Sequence, residues 1–270
     1  MNVEKLNKGE KEMETIFPKV EERAVHQFND NSSTFIPIGG YKALVNPDTE
    51  WTYGILSEKY QLIKHEDVIE MVEKAIKKSP EYGHFERDIT FLSGEAKMKA
   101  SYVFPEITVP VGRGDLINPK IDVFNSYDGG WRFNLLFGAF RLVCSNGLVI
   151  GEKVLQYKVK HFSTFSEDHV KQLLISSMES FSDQTNIWKT WMDKLVPQEP
   201  YEKIMERLPF GKKQREEIDK EVEISTGEST GQEKALTLWI LFNILSQYVT
   251  HKIKSDLRRV QIENAMRKVF

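Results

Sequence analysis

Residues 121–150 read IDVFNSYDGGWRFNLLFGAFRLVCSNGLVI. Two apolar runs flank the segment from Tyr127 to Gly130, and an Asp-Gly pair between β-rich runs is a strong hairpin signal, because glycine adopts positive φ without a Cβ clash. In the second run, side chains at alternate positions share one face, while Leu136 and Phe140 point to the other. The first set comprises Trp131, Phe133, Leu135, Phe137 and Ala139. Because both faces are apolar, this stretch predicts the buried central strand pair of an antiparallel sheet.

Two further strands with the same period precede this stretch. Residues 85–92 and 96–104 alternate between apolar and polar side chains on either side of a Ser-Gly-Glu turn. The alternation predicts a hairpin with one solvated face, on which Lys97 and Lys99 lie. Residues 67–78 have apolar side chains at helical spacing, and we expect this helix to cross the sheet.

The second half of the chain is predicted to be helical. Helical spacing predicts a long helix from the N-cap Ser166 to about Leu195, a short one at 201–208, and another at 232–254, which residues 256–269 either continue or follow. Residues 211–231 are charged and bordered by Gly, Ser and Thr, which predicts a mobile segment. The expected fold class is α+β, an antiparallel β-sheet core with a crossing helix, followed by C-terminal helices.

Composition and element order divide the chain into three parts. Residues 1–33 are polar and are predicted to form an N-terminal arm, either loose or with a short helix at 11–23. Residues 34–195 are predicted to form the α+β core domain, which ends in the long helix. Within it, residues 105–119 predict a loop. Residues 196–270 are predicted to form a C-terminal helical region.

The overall composition is that of an ordinary globular protein. The 270 residues are 40% hydrophobic and 29% charged, with a net charge of -3, so no global charge favours nucleic acid or an anionic membrane. A local basic groove is compatible with that balance. A single cysteine excludes an internal disulfide. Without an apolar segment of signal-peptide or bilayer length, we expect a cytoplasmic protein with no membrane partner.

The sequence contains none of the common catalytic signatures. It has no phosphate-binding Gly-x-x-x-x-Gly-Lys motif, no Gly-x-Ser-x-Gly and no His-Glu-x-x-His, so we expect no enzyme, no cofactor and no metal. Cys144 as a nucleophile is less favoured than a buried thiol, and Asp128 as a base is less favoured than a turn residue. His161 and His169 would share a metal only if the chain between them folds back.

One strand interleaves basic and aromatic side chains. Residues 157–162 read YKVKHF, and basic strand faces next to aromatic rings bind phosphate backbones and stack bases. A solvated sheet face is the alternative interpretation, and the residues alone favour it. Alternation places Tyr157 opposite the lysines, so Phe162 is the better stacking candidate. The candidate nucleic-acid-binding residues are Lys97, Lys99, Arg132, Arg141, Lys158, Lys160 and Phe162.

Three segments resemble a known family. Residues 125–130, 141–148 and 160–163 resemble the phage and plasmid proteins catalogued as domain of unknown function 932, and residues 238–243 resemble its C-terminal segment. In this chain Tyr127 stands where the family usually has histidine.

The family's strand-rich core followed by helices is distantly similar to single-strand annealing recombinases. The resemblance implies a phage or mobile-element protein that binds single-stranded DNA. It also implies ATP-independent annealing of complementary strands in recombination, as a homo-oligomeric ring or filament. The alternative is a phage-encoded interaction protein that binds and modulates a host protein, which the mild acidity suits better.

Overall fold

A computed structural model describes residues 15–112, 115–141, 146–149, 156–158, 167–227 and 235–270. The strands are β1 (Glu21–Asn29), β2 (Thr34–Val45), β3 (Thr52–Ser57), β4 (Glu86–Leu92), β5 (Lys97–Val103), β6 (Val109–Gly112), β7 (Asp115–Ser126), β8 (Asn134–Arg141), β9 (Asn146–Val149) and β10 (Gln156–Lys158). The helices are α1 (His65–Lys77), α2 (Glu167–Trp191), α3 (Gln198–Arg207), α4 (Lys212–Thr226), α5 (Leu238–Lys252) and α6 (Asp256–Val269), with a short 3-10 helix at Pro80–Tyr82. Antiparallel sheets followed by C-terminal helices confirm the predicted α+β class.

Within the described residues, the larger sheet has seven strands. Its order is β10-β8-β7-β5-β4, with β6 also paired to β7 and β9 to β8, so the predicted central pair β7–β8 is confirmed. The connection between these strands is longer than predicted and spans residues 127–133. Ser126 Oγ accepts the Trp131 N–H at 3.0 Å and donates to Trp131 O at 2.9 Å. Because these bonds keep Trp131 in the loop, the predicted start of the second strand at Trp131 is wrong.

The loop predicted at residues 105–119 is also wrong in part. It contains β6 and the first residues of β7, which pair with each other. The side chain of Asn118 is fully buried here and donates from Nδ2 to Ile107 O at 2.7 Å and to Pro105 O at 3.2 Å. These non-local bonds satisfy the side-chain N–H groups of Asn118, in a region whose prolines would otherwise disfavour strand pairing.

One face of the larger sheet forms the main hydrophobic core. Side chains of β5, β7 and β8 pack there against α1 and α2. Fully buried members include Met98, Tyr102, Ile121, Leu135 and Ala139. The predicted crossing helix is confirmed as α1, whose buried side chains lie on one stripe at helical spacing.

The other face of the same strands lies against α6. Phe124 and Leu136 pack there with Val260 in a small separate cluster. Since Leu135 and Leu136 are both buried on opposite faces, the prediction of a strand buried on both sides is confirmed for β8. The solvated face predicted at Lys97 and Lys99 is wrong, because only 13% and 16% of their side chains are exposed. Lys99 lies next to α6.

The strands β1, β2 and β3 form a separate antiparallel sheet in that order. It packs on the larger sheet through the buried residues Leu44, Tyr53, Ala96 and Tyr127. The predicted N-terminal arm, residues 1–33, therefore includes β1. The short helix considered at 11–23 is wrong in its described part, because residues 15–20 are not helical and residues 21–23 begin β1. Arg23 forms an ion pair with Glu50, beyond β2 in the chain, which no local pattern reveals.

The C-terminal helices agree with the predicted positions, with one exception. Residues 212–226 form α4, so the predicted mobile segment at 211–231 is wrong there. Ile218 is fully buried, and Gly227 ends the helix at a φ of +75°. Residues 228–234 lie outside the described ranges, as does the predicted N-cap Ser166.

The C-terminal helices share the main core with the sheet. Trp188 of α2 lies 6.1 Å from Trp239 of α5 between ring centroids, and Phe242 contacts Trp191 at 5.4 Å. The division into a core domain at 34–195 and a helical region at 196–270 stays a prediction. Among the described helices, none combines the length and apolar composition that crossing a lipid bilayer requires.

Candidate nucleic-acid interface

The family-like segment at the end of β7 is bonded to the start of α1. Asn125 Nδ2 donates to Ile63 O at 3.0 Å and to Nδ1 of His65 at 3.0 Å. The Tyr127 ring stacks on the His65 ring with 3.8 Å between centroids, and the Tyr127 hydroxyl accepts the His65 backbone N–H at 2.8 Å. Burial lowers the pKa of His65 to about 4. Asn125 and Tyr127 therefore attach α1 to the sheet.

The next residues shape the loop between β7 and β8. Asp128 Oδ1 accepts the Gly130 N–H at 2.8 Å, which confirms its predicted turn role, and Oδ2 pairs with Lys97. Gly129 has a φ of +69°, and a Cβ there would lie 2.9 Å from Leu56. The position therefore favours glycine. In this structure these family-like residues have structural roles.

Lys97 lies at the start of β5, beside this loop. Its ammonium pairs with Asp128 and lies 5.7 Å from the centroid of the Trp131 ring. Trp131 in turn packs edge-on against Phe124, with 5.5 Å between ring centroids. A phosphate approaching Lys97 therefore meets a cation that already has a carboxylate partner and an aromatic neighbour.

Lys99 belongs to a buried ionic network on the face covered by α6. Its ammonium lies 3.1 Å from Glu263 of α6 and 3.9 Å from Asp122 of β7. Lys120 pairs with Asp122 at 3.0 Å, and Ser101 donates to the same carboxylate at 2.5 Å. Burial alone would raise the pKa of Asp122, but Lys120 and Lys99 outweigh it, so the pKa is lowered.

A cavity of about 350 Å³ opens between this face of the sheet and α6. Among the described residues, four basic and four acidic side chains line it, so these side chains give the cavity no net positive charge. Lys99 is one of the basic residues, and Glu263 and Asp122 already neutralise it. The pKa of Lys99 is raised, because burial, which lowers it, is outweighed by Asp122 and Glu263. Without movement of Glu263, Lys99 is poorly placed to bind phosphate.

The structure brings the other predicted basic residues together only in part. Arg132 is exposed in the loop before β8 and has no ion-pair partner among the described residues. The Cα atoms of Lys99, Phe124, Asn134 and Lys158 lie in one register row across β5, β7, β8 and β10. Lys158 is therefore at the same end of β8 as Arg132.

Arg141 is separated from this group because it ends β8, seven residues beyond Asn134, or roughly 23 Å along the strand. The side chains of Arg141 and Lys158 are outside the described part of the structure. Lys160 and Phe162 lie outside the described residues entirely, so the predicted stacking residue stays a prediction.

Comparison with known proteins shows the family. A family model described as "Domain of unknown function (DUF932)" matches residues 52–269. The chain belongs to this family. The UPF0380 proteins YfjQ and YafZ of Escherichia coli (strain K12) are each 46% identical to it over 43 residues. That match covers 16% of the DUF932 chain and 16% of each relative, so these relatives give no account of the whole protein. No solved structure matches the chain.

The remaining candidate residues of this DUF932 protein stay predictions. Cys144 and His161 lie outside the described residues, and only the backbone of His169 is described, within α2. Across the described ranges, no three His, Cys, Asp or Glu side chains form a group that could hold a metal ion.

Sequence reasoning missed the carboxylates that pair with the predicted lysines. Asp128 had been assigned a turn role, and Asp122 and Glu263 had no assigned role. Alternation along β7 puts Asp122 on the same face as the β5 lysines, so an ion pair between Asp122 and these lysines was predictable from the sequence. Glu263 is 164 residues from Lys99, and no local pattern links them.

Proposed function

We propose that this DUF932 protein is a phage or mobile-element protein that binds single-stranded DNA and anneals complementary strands in recombination without ATP. In this proposal it acts in the cytoplasm as a homo-oligomer, either a ring or a filament. It is not an enzyme and uses no cofactor, metal or membrane. A relationship to single-strand annealing recombinases is part of the same hypothesis.

The observation that supports the proposal is a group of basic positions at one end of the larger sheet, which we name the basic sheet end and define as Lys97, Arg132 and Lys158. Lys97 begins β5, Arg132 precedes β8, and Lys158 ends β10, paired with Asn134. Proteins that bind single strands without sequence preference combine cations along the phosphate path with aromatic rings that stack bases. Trp131 is a ring beside one of these cations, Lys97.

The three cations differ in how readily they can meet a phosphate. Arg132 is exposed and has no described ion-pair partner, so a phosphate contact there displaces no carboxylate. Its planar guanidinium also suits bidentate phosphate binding. Lys97 must release Asp128 first. We therefore expect Arg132 to contribute more than Lys97.

Arg132→Ala is expected to weaken binding to single-stranded DNA and to reduce the steepness of log affinity against log salt by about 0.7, the value of one lost phosphate contact. The loss should be similar for different base sequences, because phosphate contacts do not read bases. Fluorescence anisotropy with a labelled oligonucleotide at several salt concentrations measures both quantities.

The matched control is Lys77→Ala. Lys77 is also exposed, but it lies in the last turn of α1, on the face of the sheet opposite α6. The substitution removes one positive charge without altering the basic sheet end, so the salt slope of the variant should equal that of the unmutated protein. Equal effects of the two substitutions would mean that only the net charge of the protein affects binding. The proposal that the basic sheet end binds DNA would then be wrong.

The double variant Lys158→Ala, Lys160→Ala tests the predicted basic strand. If both lysines contact phosphates, the salt slope should be reduced by about 1.4, which is twice the single-contact value. Addition of ATP should leave affinity and annealing unchanged. Unaltered affinity and slope in the double variant would exclude this strand from the DNA path.

The carboxylate partners of Lys97 and Lys99 favour the second candidate function, a phage-encoded protein that binds and modulates a host protein. Both lysines would contribute little to phosphate binding while these pairs persist. A titration of the unmutated protein with single-stranded DNA distinguishes the two functions. If the unmutated protein binds no single-stranded DNA even at low salt, the DNA proposal fails and the host-protein proposal replaces it.

A further inference from the structure

The helices α3 and α4 border an open groove, which we name the α3–α4 groove. Its cavity of about 880 Å³ is lined by one face of each helix, together with Val196 and residues 235–236. The lining residues recur three or four positions apart along each helix, so each wall is a single helical face. The Tyr201 hydroxyl donates to Asp219 and links the two walls. The volume lies within the range of ligand-binding clefts.

The floor of the α3–α4 groove is apolar. Val196 and Met205 are buried there, and Tyr201, Val222 and Leu236 are half-buried. All five side chains belong to the main core or pack against it, so the floor is held by the rest of the molecule. The described chain therefore leaves part of a fixed apolar surface open at the bottom of the groove.

The rim of the groove is acidic on both walls. Glu202 and Glu206 lie one turn apart on α3, and Asp219 and Glu223 lie one turn apart on α4. All four are exposed, and none has an ion-pair partner among the described residues. Like charges at this spacing repel each other and weaken a helix. Both walls therefore carry a repulsion that cationic groups from outside would relieve.

Arg215 is the one basic residue in the described lining, and it does not neutralise the rim. It donates from Nε to Phe210 O at 3.1 Å and from a terminal nitrogen to Leu208 O at 3.4 Å. Both carbonyls belong to the connection between the two helices. In the cavity beside α6, by contrast, the described acidic and basic side chains are equal in number. The excess of acidic side chains distinguishes the α3–α4 groove from that cavity.

We propose that the α3–α4 groove binds a basic amphipathic helix of another protein. The apolar stripe of that helix lies on the floor, and its Lys or Arg side chains meet the carboxylates of the rim. A helix can carry cations on both sides of its apolar stripe at the spacing of four residues that separates the carboxylates on each wall. Amphipathic helices bind grooves in this way, through apolar anchors at helical spacing. The proposal does not depend on DNA binding.

Other occupants match the groove less well. The four carboxylates would repel the phosphate backbone of a nucleic acid. A metal ion needs convergent ligands, and no three His, Cys, Asp or Glu side chains of the described residues form a group that could hold one. A small organic cation would pair with the rim but would leave most of the apolar floor in water. A basic amphipathic helix satisfies both the rim and the floor.

The test titrates the purified full-length chain into a fluorescently labelled peptide and measures anisotropy. The peptide is a helix of about 18 residues, or five turns, with a leucine stripe flanked by lysines. It should bind saturably, and a peptide with the same stripe flanked by glutamates should not bind. A scrambled lysine peptide keeps the composition but loses the stripe. It should bind at least about tenfold more weakly, because apolar anchors supply most of the binding energy.

The double variant Glu206→Gln, Glu223→Gln removes one carboxylate from each wall. It should weaken binding of the lysine peptide roughly three- to tenfold, the combined effect of two exposed ion pairs, and should reduce the salt dependence of binding. The matched control is Glu216→Gln, Glu221→Gln, which neutralises two exposed carboxylates of α4 outside the groove and should leave the affinity unchanged. Circular dichroism melts check that both variants are folded.

Three results would overturn the proposal. The first is that the lysine peptide does not bind at all. The second is equal binding of the scrambled peptide, which would show that the groove recognises cations alone, as a small organic cation would supply them. The third is equal weakening by the control variant, which would show that only the net charge of the protein affects binding. None of these results bears on the DNA proposal, because the titrations contain no DNA.

Discussion

Phe137→Ala is expected to lower the free energy of unfolding by about 3–5 kcal/mol, the usual cost of truncating a buried phenylalanine. Phe137 is 7% exposed in the central strand β8, directly opposite Ile121 of β7, and belongs to the main core. Truncation removes the ring's contacts and leaves a cavity that the two rigid strands cannot close. A urea titration followed by circular dichroism measures the loss.

Phe35→Ala provides the matched control for this prediction. It is the same chemical change at a side chain that is 71% exposed and contacts mainly Phe28. We expect it to cost less than about 1 kcal/mol, in the range of a single aromatic pair. If Phe137→Ala also costs less than about 1 kcal/mol, β8 is not the centre of the core.

The core around Phe137 was predictable because its signal is local. Strand periodicity depends only on neighbouring residues, and the two apolar faces of residues 134–139 identify a strand covered on both sides. The strand's first residue was not predictable in the same way. It depends on two hydrogen bonds between Ser126 and the Trp131 backbone, which divert an apolar segment into the loop.

The candidate site was predictable only as far as the residues that share a face. Alternation put Lys97 and Lys99 together, as the structure does. What covers that face depends on tertiary structure, because α6 and Glu263 come from the far end of the chain. A lysine on a strand face therefore predicts solvent exposure only if no later element packs there.

The same argument explains α4 and the β1–β2 hairpin. The composition of residues 211–231 predicts a mobile segment, but the burial of Ile218 and the bond from Tyr248 to Glu217 at 2.7 Å attach a helix there. The β1–β2 hairpin is a second case. Residues 1–33 were predicted to form a polar arm, yet residues 21–29 form β1 through pairing with β2, and Phe28 and Phe35 stay exposed.

His65 is expected to make the protein less stable in mild acid. It is fully buried at the start of α1, and burial lowers its pKa from 6.5 to about 4. Asn125 donates to Nδ1, so the ring proton is on Nε2, directed at Glu95 O at 3.4 Å. Protonation of Nδ1 would break the bond from Asn125 and leave a buried charge beside Tyr127.

The direction of this pH dependence follows from proton binding at His65 in the folded and unfolded states. Between pH 6.5 and 4 the unfolded chain binds a proton at His65 that the folded chain does not, so stability falls as the pH falls. The contribution of neutral His65 to the free energy of unfolding is complete above pH 6.5 and lost by about pH 4. The difference between the folded and unfolded pKa values corresponds to about 3 kcal/mol. Urea titrations at half-unit steps from pH 4.5 to 7.5 measure it.

His65→Gln is the informative variant, because glutamine is a neutral polar residue that does not titrate. It should be less stable than the unmutated protein at pH 7.5 and should lose most of the acid-dependent decrease, so that the two stabilities converge towards pH 4.5. Parallel stability curves for the unmutated protein and His65→Gln would show that His65 does not titrate in this window. The link between burial of the histidine and acid sensitivity would then be wrong.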